Sequence, residues 1–344
     1  MRRFIVAASA ALLLVLPSPA AAKHGLRFLG QAIVPTGTTF KDTVVGGLSS
    51  ITYDQRNGRY YALSDDPADV RFYTVSLDIR DGRLSDGDVR FEKVTRFLSP
   101  PYSATNVDPE GLVLTADRKL ILTSEGIATT GVPPFVRRYN LDGAFRGDLR
   151  VPPEFFPTPT QGVRFNLGFE SAGVLGRHLY VATENALVQD GPAATITNGS
   201  RARILRYDLS TNRLERQWFY ETDPVAEPPV PPTAFSVNGV VELLPLSSNR
   251  LIAMERSFSV GAPGTGNKIK LYTVTLTPKK AHKRLLLDLD ELGLPLDNVE
   301  GMTFGPRLRD GRQSLVLVSD NNFAASQFTQ FLLFGMPGPP RGRD

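Results

Sequence analysis

The chain has 344 residues, 41% of them hydrophobic and 22% charged, which is enough for one large or two ordinary globular domains. It has no cysteine, so disulfides and a lipoprotein anchor are excluded, and its 30 glycines and 27 prolines are scattered between apolar runs instead of gathered in a disordered tail. The formal charge of +4 falls by two without Arg2 and Arg3, so it implies neither a nucleic-acid partner nor a membrane surface.

In chain order, residues 1–22 read as a signal peptide. Arg2 and Arg3 form a basic start, Phe4 to Leu16 an apolar stretch, and Ala20-Ala21-Ala22 a small-residue cleavage site before Lys23. The expected destination is the periplasm or the exterior. No later apolar run is long enough to span a membrane. Leu26 to Val34 reads as a lone strand with no sequence neighbour to pair with.

A repeat follows. Gly47-Leu48-Ser49-Ser50-Ile51 leads through a turn to Tyr60-Tyr61-Ala62-Leu63-Ser64-Asp65. Asp108-Pro109-Glu110-Gly111-Leu112 leads to Leu120-Ile121-Leu122-Thr123-Ser124-Glu125. Phe169-Glu170-Ser171-Ala172-Gly173 leads to Leu179-Tyr180-Val181-Ala182-Thr183-Glu184. Val237-Asn238-Gly239-Val240-Val241 leads to Leu251-Ile252-Ala253-Met254-Glu255, and Asn298-Val299-Glu300-Gly301-Met302 to Leu315-Val316-Leu317-Val318-Ser319-Asp320. The copies recur at roughly 60 residues, a blade-sized interval. A third strand follows each pair, as in Val136 to Tyr139. A more polar fourth follows in the first four copies, as in Arg213 to Tyr220.

The second strand of each copy is almost continuously apolar, as a strand covered on both faces must be. The last copy has no fourth strand, and Leu26 to Val34 has no partner. The pattern therefore predicts an all-β propeller of five blades, closed by the N-terminal strand on the outside of the last blade, with no open edge. Val151 to Gly168 and Glu221 to Val237 are long enough to hide further strands, so six blades stay open. The single domain spans 23–336, followed by a flexible tail at 337–344. The most helix-like segment, Asp288 to Leu294, is a turn or two at most.

In a four-stranded blade the first strand starts, the second ends and the third starts on one face. The first position holds Glu110, Glu170 and Glu300, read as catalytic carboxylates. The second holds Asp65, Glu125, Glu184, Glu255 and Asp320, read as metal ligands. Near the third stand Arg137, Arg201, Arg203 and Lys268, read as groups that bind an anionic substrate. Carboxylates crowded at one mouth repel one another unless a cation neutralises them. Oxygen donors without cysteine, and with only three histidines, point to Ca2+, or alternatively Mg2+. Such an ion could polarise an ester or phosphoryl oxygen and activate water. Structural Glu–Arg ties between blades are the bland alternative.

Other motifs are absent. His24, His178 and His282 lie away from the acidic face, so a Ser-His-Asp triad is not expected. Gly261 to Lys268 has the lysine of a phosphate loop one place late, with no helix after it.

The segment Gly47 to Asp66, Asp108-Pro109-Glu110-Gly111-Leu112, Phe169-Glu170-Ser171, Thr183-Glu184-Asn185 and Asn298-Val299-Glu300-Gly301-Met302 with Ser319-Asp320-Asn321-Asn322 resembles the phytase-like family of exported bacterial proteins, the "esterase-like activity of phytase" group, over roughly residues 45 to 335. The resemblance implies a propeller and hydrolysis of ester or phosphoester bonds. Propeller phytases are calcium-dependent, with acids and lysines around the metal. The residue roles above come from strand geometry. The sequence thus predicts a monomeric, metal-dependent hydrolase of a small anionic ester or phosphoester. The alternatives are a non-catalytic binding propeller of the cell envelope and a gluconolactonase-type lactonase with one central Ca2+.

Overall fold

The computed structural model describes residues 25–98 and 100–337. The expected signal peptide and nearly all of the expected C-terminal tail lie outside these residues. Among the described residues, five antiparallel four-stranded sheets make up the propeller. Blade I comprises Ser50–Asp54, Arg59–Ser64, Arg71–Leu77 and Val89–Arg96. Blade II comprises Pro109–Leu114, Lys119–Ser124, Phe135–Asn140 and Phe145–Leu149. Blade III comprises Phe169–Leu175, His178–Thr183, Arg201–Asp208 and Arg213–Glu221. Blade IV comprises Ser236–Ser247, Arg250–Ser259, Asn267–Leu276 and Ala281–Asp288. Blade V takes Asn298–Arg307, Gln313–Asp320 and Thr329–Met336 from the C-terminal end, and its outermost strand is Arg27–Val34. The closure inferred from the unpaired N-terminal segment is therefore the one the chain adopts, with Arg27 opposite Gly335 and Val34 opposite Thr329.

The stretches 151–168 and 221–237 add no further sheet. The first holds the single-turn 3-10 helix Pro153–Phe155, which buries Phe155 against blade III. A second such turn, Leu289–Leu292, falls inside the one helix-like segment expected. A small hairpin, Thr39–Phe40 with Thr43–Val44, was not expected.

Five apolar cores fill the five gaps between neighbouring blades, and the second strand of each blade feeds two of them by alternation. Leu120 and Leu122 face blade I while Ile121 faces blade III. Leu179 and Val181 face blade II while Tyr180 and Ala182 face blade IV. Leu251 and Ala253 face blade III while Ile252 and Met254 face blade V. This parity decides where the residue at each strand end points. Nearer the axis, one carboxylate links several blades. Glu242 is buried on the inner strand of blade IV and accepts hydrogen bonds from Leu243 N at 2.9 Å and Ser50 Oγ at 3.4 Å. The backbones of Met302 and Ala172 also bond it and oppose the upward push of burial on its pKa.

Candidate functional site

The inner strands open at one end into a cavity of about 640 Å3. Its lining includes Asp65, Asp108, Glu110, Glu170, Glu184, Glu300 and Asp320. Glu125 stands beside them, close to Asp108, Glu110, Glu170 and Glu184. One carboxylate oxygen each from Asp108, Glu110 and Glu125 lie within 4.8 Å of one another, as do those of Glu110, Glu170 and Glu300, and those of Glu125, Glu170 and Glu184. Small residues make the room. A side chain at Gly168 would run into the Glu125 Cα and Cβ, and one at Gly239 would lie 2.3 Å from the Glu184 Cγ.

The alternation of the second strands explains most of this set. Asp65, Glu125, Glu184 and Asp320 each stand on the face that looks toward the following blade. Glu255 does not. It shares the parity of Leu251 and Ala253 and so faces blade III, where it accepts from Tyr220 Oη at 2.7 Å and pairs with Lys283 at 2.5 Å. The sequence alignment is one residue out of step in blade IV, and the slot held by an acid in the other four blades is filled by Arg256. Arg256 is the one cationic side chain lining the cavity among the described residues. Its Nη2 lies 2.8 Å from Glu300 Oε1, 3.6 Å from Glu184 Oε1 and 3.9 Å from Glu170 Oε1.

The bases expected to hold an anion are not gathered here. Arg137 pairs with Asp148 at 2.8 Å and lies over the Phe135 ring, Arg201 pairs with Glu221 at 2.9 Å, Arg203 with Asp190 at 2.6 Å, and Lys268 with Asp290 at 2.6 Å. Each meets its partner on a third or outer strand or a loop beside it, away from the axis, and none lines the cavity. The sequence reading assigns no role to Asp108, two residues before the first position, and none to Arg256, because its alignment puts Glu255 in that slot.

Electrostatically the site is starved of positive charge. Burial, followed by the neighbouring carboxylates, pushes Asp65, Glu110 and Glu170 well above the usual carboxylate range. Glu125 is likewise raised by burial first, then by Asp108 and Glu184, against the hydrogen bond from Gly168 N at 2.6 Å. Burial and Glu300 raise Asp108 to about 6. Burial raises Glu184 to about 7 against the pull of Arg256, and burial with Glu300 raises Asp320 to about 8. Two buried oxygens, Glu125 Oε2 and Glu184 Oε1, have no hydrogen-bond partner among the described residues. The carboxylates of Asp65, Asp108 and Glu110 likewise accept no hydrogen bond and meet no ion-pair partner among those residues. An all-oxygen donor set with unpartnered, desolvated carboxylates fits a hard cation such as Ca2+ or Mg2+.

Comparison with known proteins places the chain in a family. A family profile described as "Phytase-like: Esterase-like activity of phytase" matches residues 43–323. No curated protein matches the chain. Among solved structures, the endo-arabinase from Bacteroides thetaiotaomicron is similar at 13% identity and TM-score 0.47, covering 91% of this chain and 99% of that one. The α-L-arabinofuranosidase from Lactobacillus brevis is similar at 12% identity and TM-score 0.48, covering 84% and 91%. The catalytic domain of the GH62 α-L-arabinofuranosidase from Coprinopsis cinerea matches at 13% identity and TM-score 0.47, covering 90% and 96%.

Proposed function

Because this chain belongs to the phytase-like family, we propose that it is a hydrolase of an ester or phosphoester that works with a bound divalent cation, Ca2+ first and Mg2+ second, in the acidic cavity. The observation that carries the proposal is the gathering of eight carboxylates around one cavity that holds a single guanidinium, which reaches three of them, with two buried carboxylate oxygens making no hydrogen bond. Asp108, Glu110 and Glu125 would hold the ion, with Asp65 beside them. When bound, such an ion polarises an ester or phosphoryl oxygen and lowers the pKa of water. Glu170 belongs to two of the three carboxylate groups, so it stands next to the ion-holding residues and can accept a proton from water. Glu300, held by Arg256 at 2.8 Å, shares a carboxylate group with Glu110 and Glu170. Arg256 also offers the positive charge that an anionic substrate needs within the cavity.

The described residues contain no helix long and apolar enough to cross a membrane. We keep export through residues 1–22 as part of the proposal.

The test is hydrolysis of p-nitrophenyl phosphate and p-nitrophenyl acetate by the full mature chain. The expected result is turnover that EDTA abolishes and Ca2+ restores. Glu110→Gln and Glu170→Gln should each lower kcat by about 100-fold or more. Full activity in EDTA, or in both variants, would overturn the assignment. A second reading, ligand capture without turnover, draws on exposed Phe235 at the cavity and its contact with Phe258 at 6.2 Å between ring centres. Ligand binding with no hydrolysis of any ester tried would favour it.

A further inference from the structure

Four of the five second strands present a carboxylate to the cavity side, and the fifth presents Arg256. The replacement is not neutral to the site. Arg256 is buried, and its Nη2 reaches Glu300, Glu184 and Glu170 within 3.9 Å. Those three acids therefore already share a positive charge. On the other side, Asp65, Asp108 and Glu110 have none, and Glu125, itself only 2% exposed and with no hydrogen bond to its Oε2, offers an oxygen both to Asp108 and Glu110 and to Glu170 and Glu184. The ring is thus split into a half with a built-in cation and a half without one.

We propose that Arg256 substitutes for a second divalent cation: the cavity takes one ion, on Asp108, Glu110 and Glu125, and a second ion site lies latent on Glu170, Glu184 and Glu300, closed by the guanidinium. This rests on reading the cavity as a cation site, but it concerns how many ions bind and which acids hold them, not turnover. Glu184 Oε1 marks the latent site. It is buried, lies 3.6 Å from the guanidinium, and makes no hydrogen bond, so removing Arg256 leaves it facing two other carboxylates without a partner.

The experiment is calorimetric titration of the chelator-stripped full mature chain with Ca2+, with elemental analysis of the bound ion after dialysis. The wild type should take one Ca2+ per chain, Arg256→Lys one, and Arg256→Met two. Glu110→Gln should weaken the ion at least tenfold, whereas Glu184→Gln should leave one ion bound at near wild-type affinity. These last two variants keep Arg256, so they decide the partition even if Arg256→Met does not fold. Two ions in the wild type, one ion in a folded Arg256→Met, or loss of the ion in Glu184→Gln would overturn the proposal while leaving a cation site standing. No ion in the wild type or in any variant would overturn the cation reading itself.

Discussion

Asp54 and Arg118 set the opposite case to the acidic ring. Asp54 ends the inner strand of blade I and is almost fully buried, yet Arg118, in the turn between the first two strands of blade II, donates to both its oxygens at 2.8 and 2.9 Å. Burial works to raise the Asp54 carboxyl, but Arg118 and the Tyr61 hydroxyl at 2.9 Å outweigh it and hold the group down at about 2. A lowered folded value means stability present above the unfolded carboxylate range and lost as pH falls through it toward 2. Arg118→Ala removes one partner of a fixed, forked pair. It should destabilise the chain by about 2 kcal/mol, below the usual cost for a fully buried pair because Arg118 is partly exposed. Chemical denaturation at pH 7 and pH 3 checks this: the difference between variant and wild type should shrink at the lower pH. Equal loss at both would mean the effect is packing, not charge.

At the scale of the element, the closing strand does more than cap blade V. It carries an irregularity between Phe28 and Gly30, and there Gly30 takes φ of +126° and meets Leu84, midway along the loop leading to the outer strand of blade I. A Cβ at Gly30 would sit 2.1 Å from the Leu84 carbonyl oxygen, whereas one at Gly37, also at positive φ, meets nothing. Gly30→Ala should cost about 2 kcal/mol or more, and Gly37→Ala about 1 kcal/mol from backbone strain alone. Melting temperatures of the two variants decide it, and equal values would deny the Leu84 contact any weight. The strand's role was legible because a lone strand at one end and a three-stranded copy at the other complete each other. The blades were legible because a doubly covered strand has an unbroken apolar run. What the sequence could not supply was register in blade IV. There Arg250–Ser259 runs on past the usual strand end with no turn to mark it, so Glu255 and Arg256 exchange the roles that simple alignment assigns. Glu242 received no role from the sequence, because its partners come from three other blades and no local pattern connects them. The arginines and lysine misplaced as anion binders failed for a related reason. Their own acids lie on neighbouring strands or loops, and a charge repeated along the chain reads the same whether paired or free.

For the whole molecule, the site exists only as a product of ring closure. Blade I supplies Asp65, blade II Asp108, Glu110 and Glu125, blade III Glu170 and Glu184, blade IV Arg256, and blade V Glu300 and Asp320. Unfolding separates these acids and returns each to the ordinary carboxylate range, so the ring couples stability to pH for the chain as a unit. In the metal-free state the folded carboxyls are raised: Asp108 to about 6, Glu184 to about 7 and Asp320 to about 8, by burial first and then by their neighbours. A raised folded value means the native state binds protons the unfolded chain has already released. The stability tied to those protons is fully present below about pH 4 and is lost as pH rises through the folded values. The chelated protein should therefore melt at progressively lower temperature from pH 5 to pH 8. Each net proton held by the native state is worth about 1.4 kcal/mol per pH unit. A bound divalent cation reverses the preference, because it stabilises the ionised ring and releases those protons. Saturating Ca2+ should flatten or invert the slope, and the gain in melting temperature from Ca2+ should be larger at pH 8 than at pH 5. Scanning calorimetry across that interval, with EDTA and with Ca2+, measures both slopes. A chelated protein that grows more stable toward pH 8 would mean that the ring carries its negative charge without an ion, and that Arg256 alone suffices to hold it together.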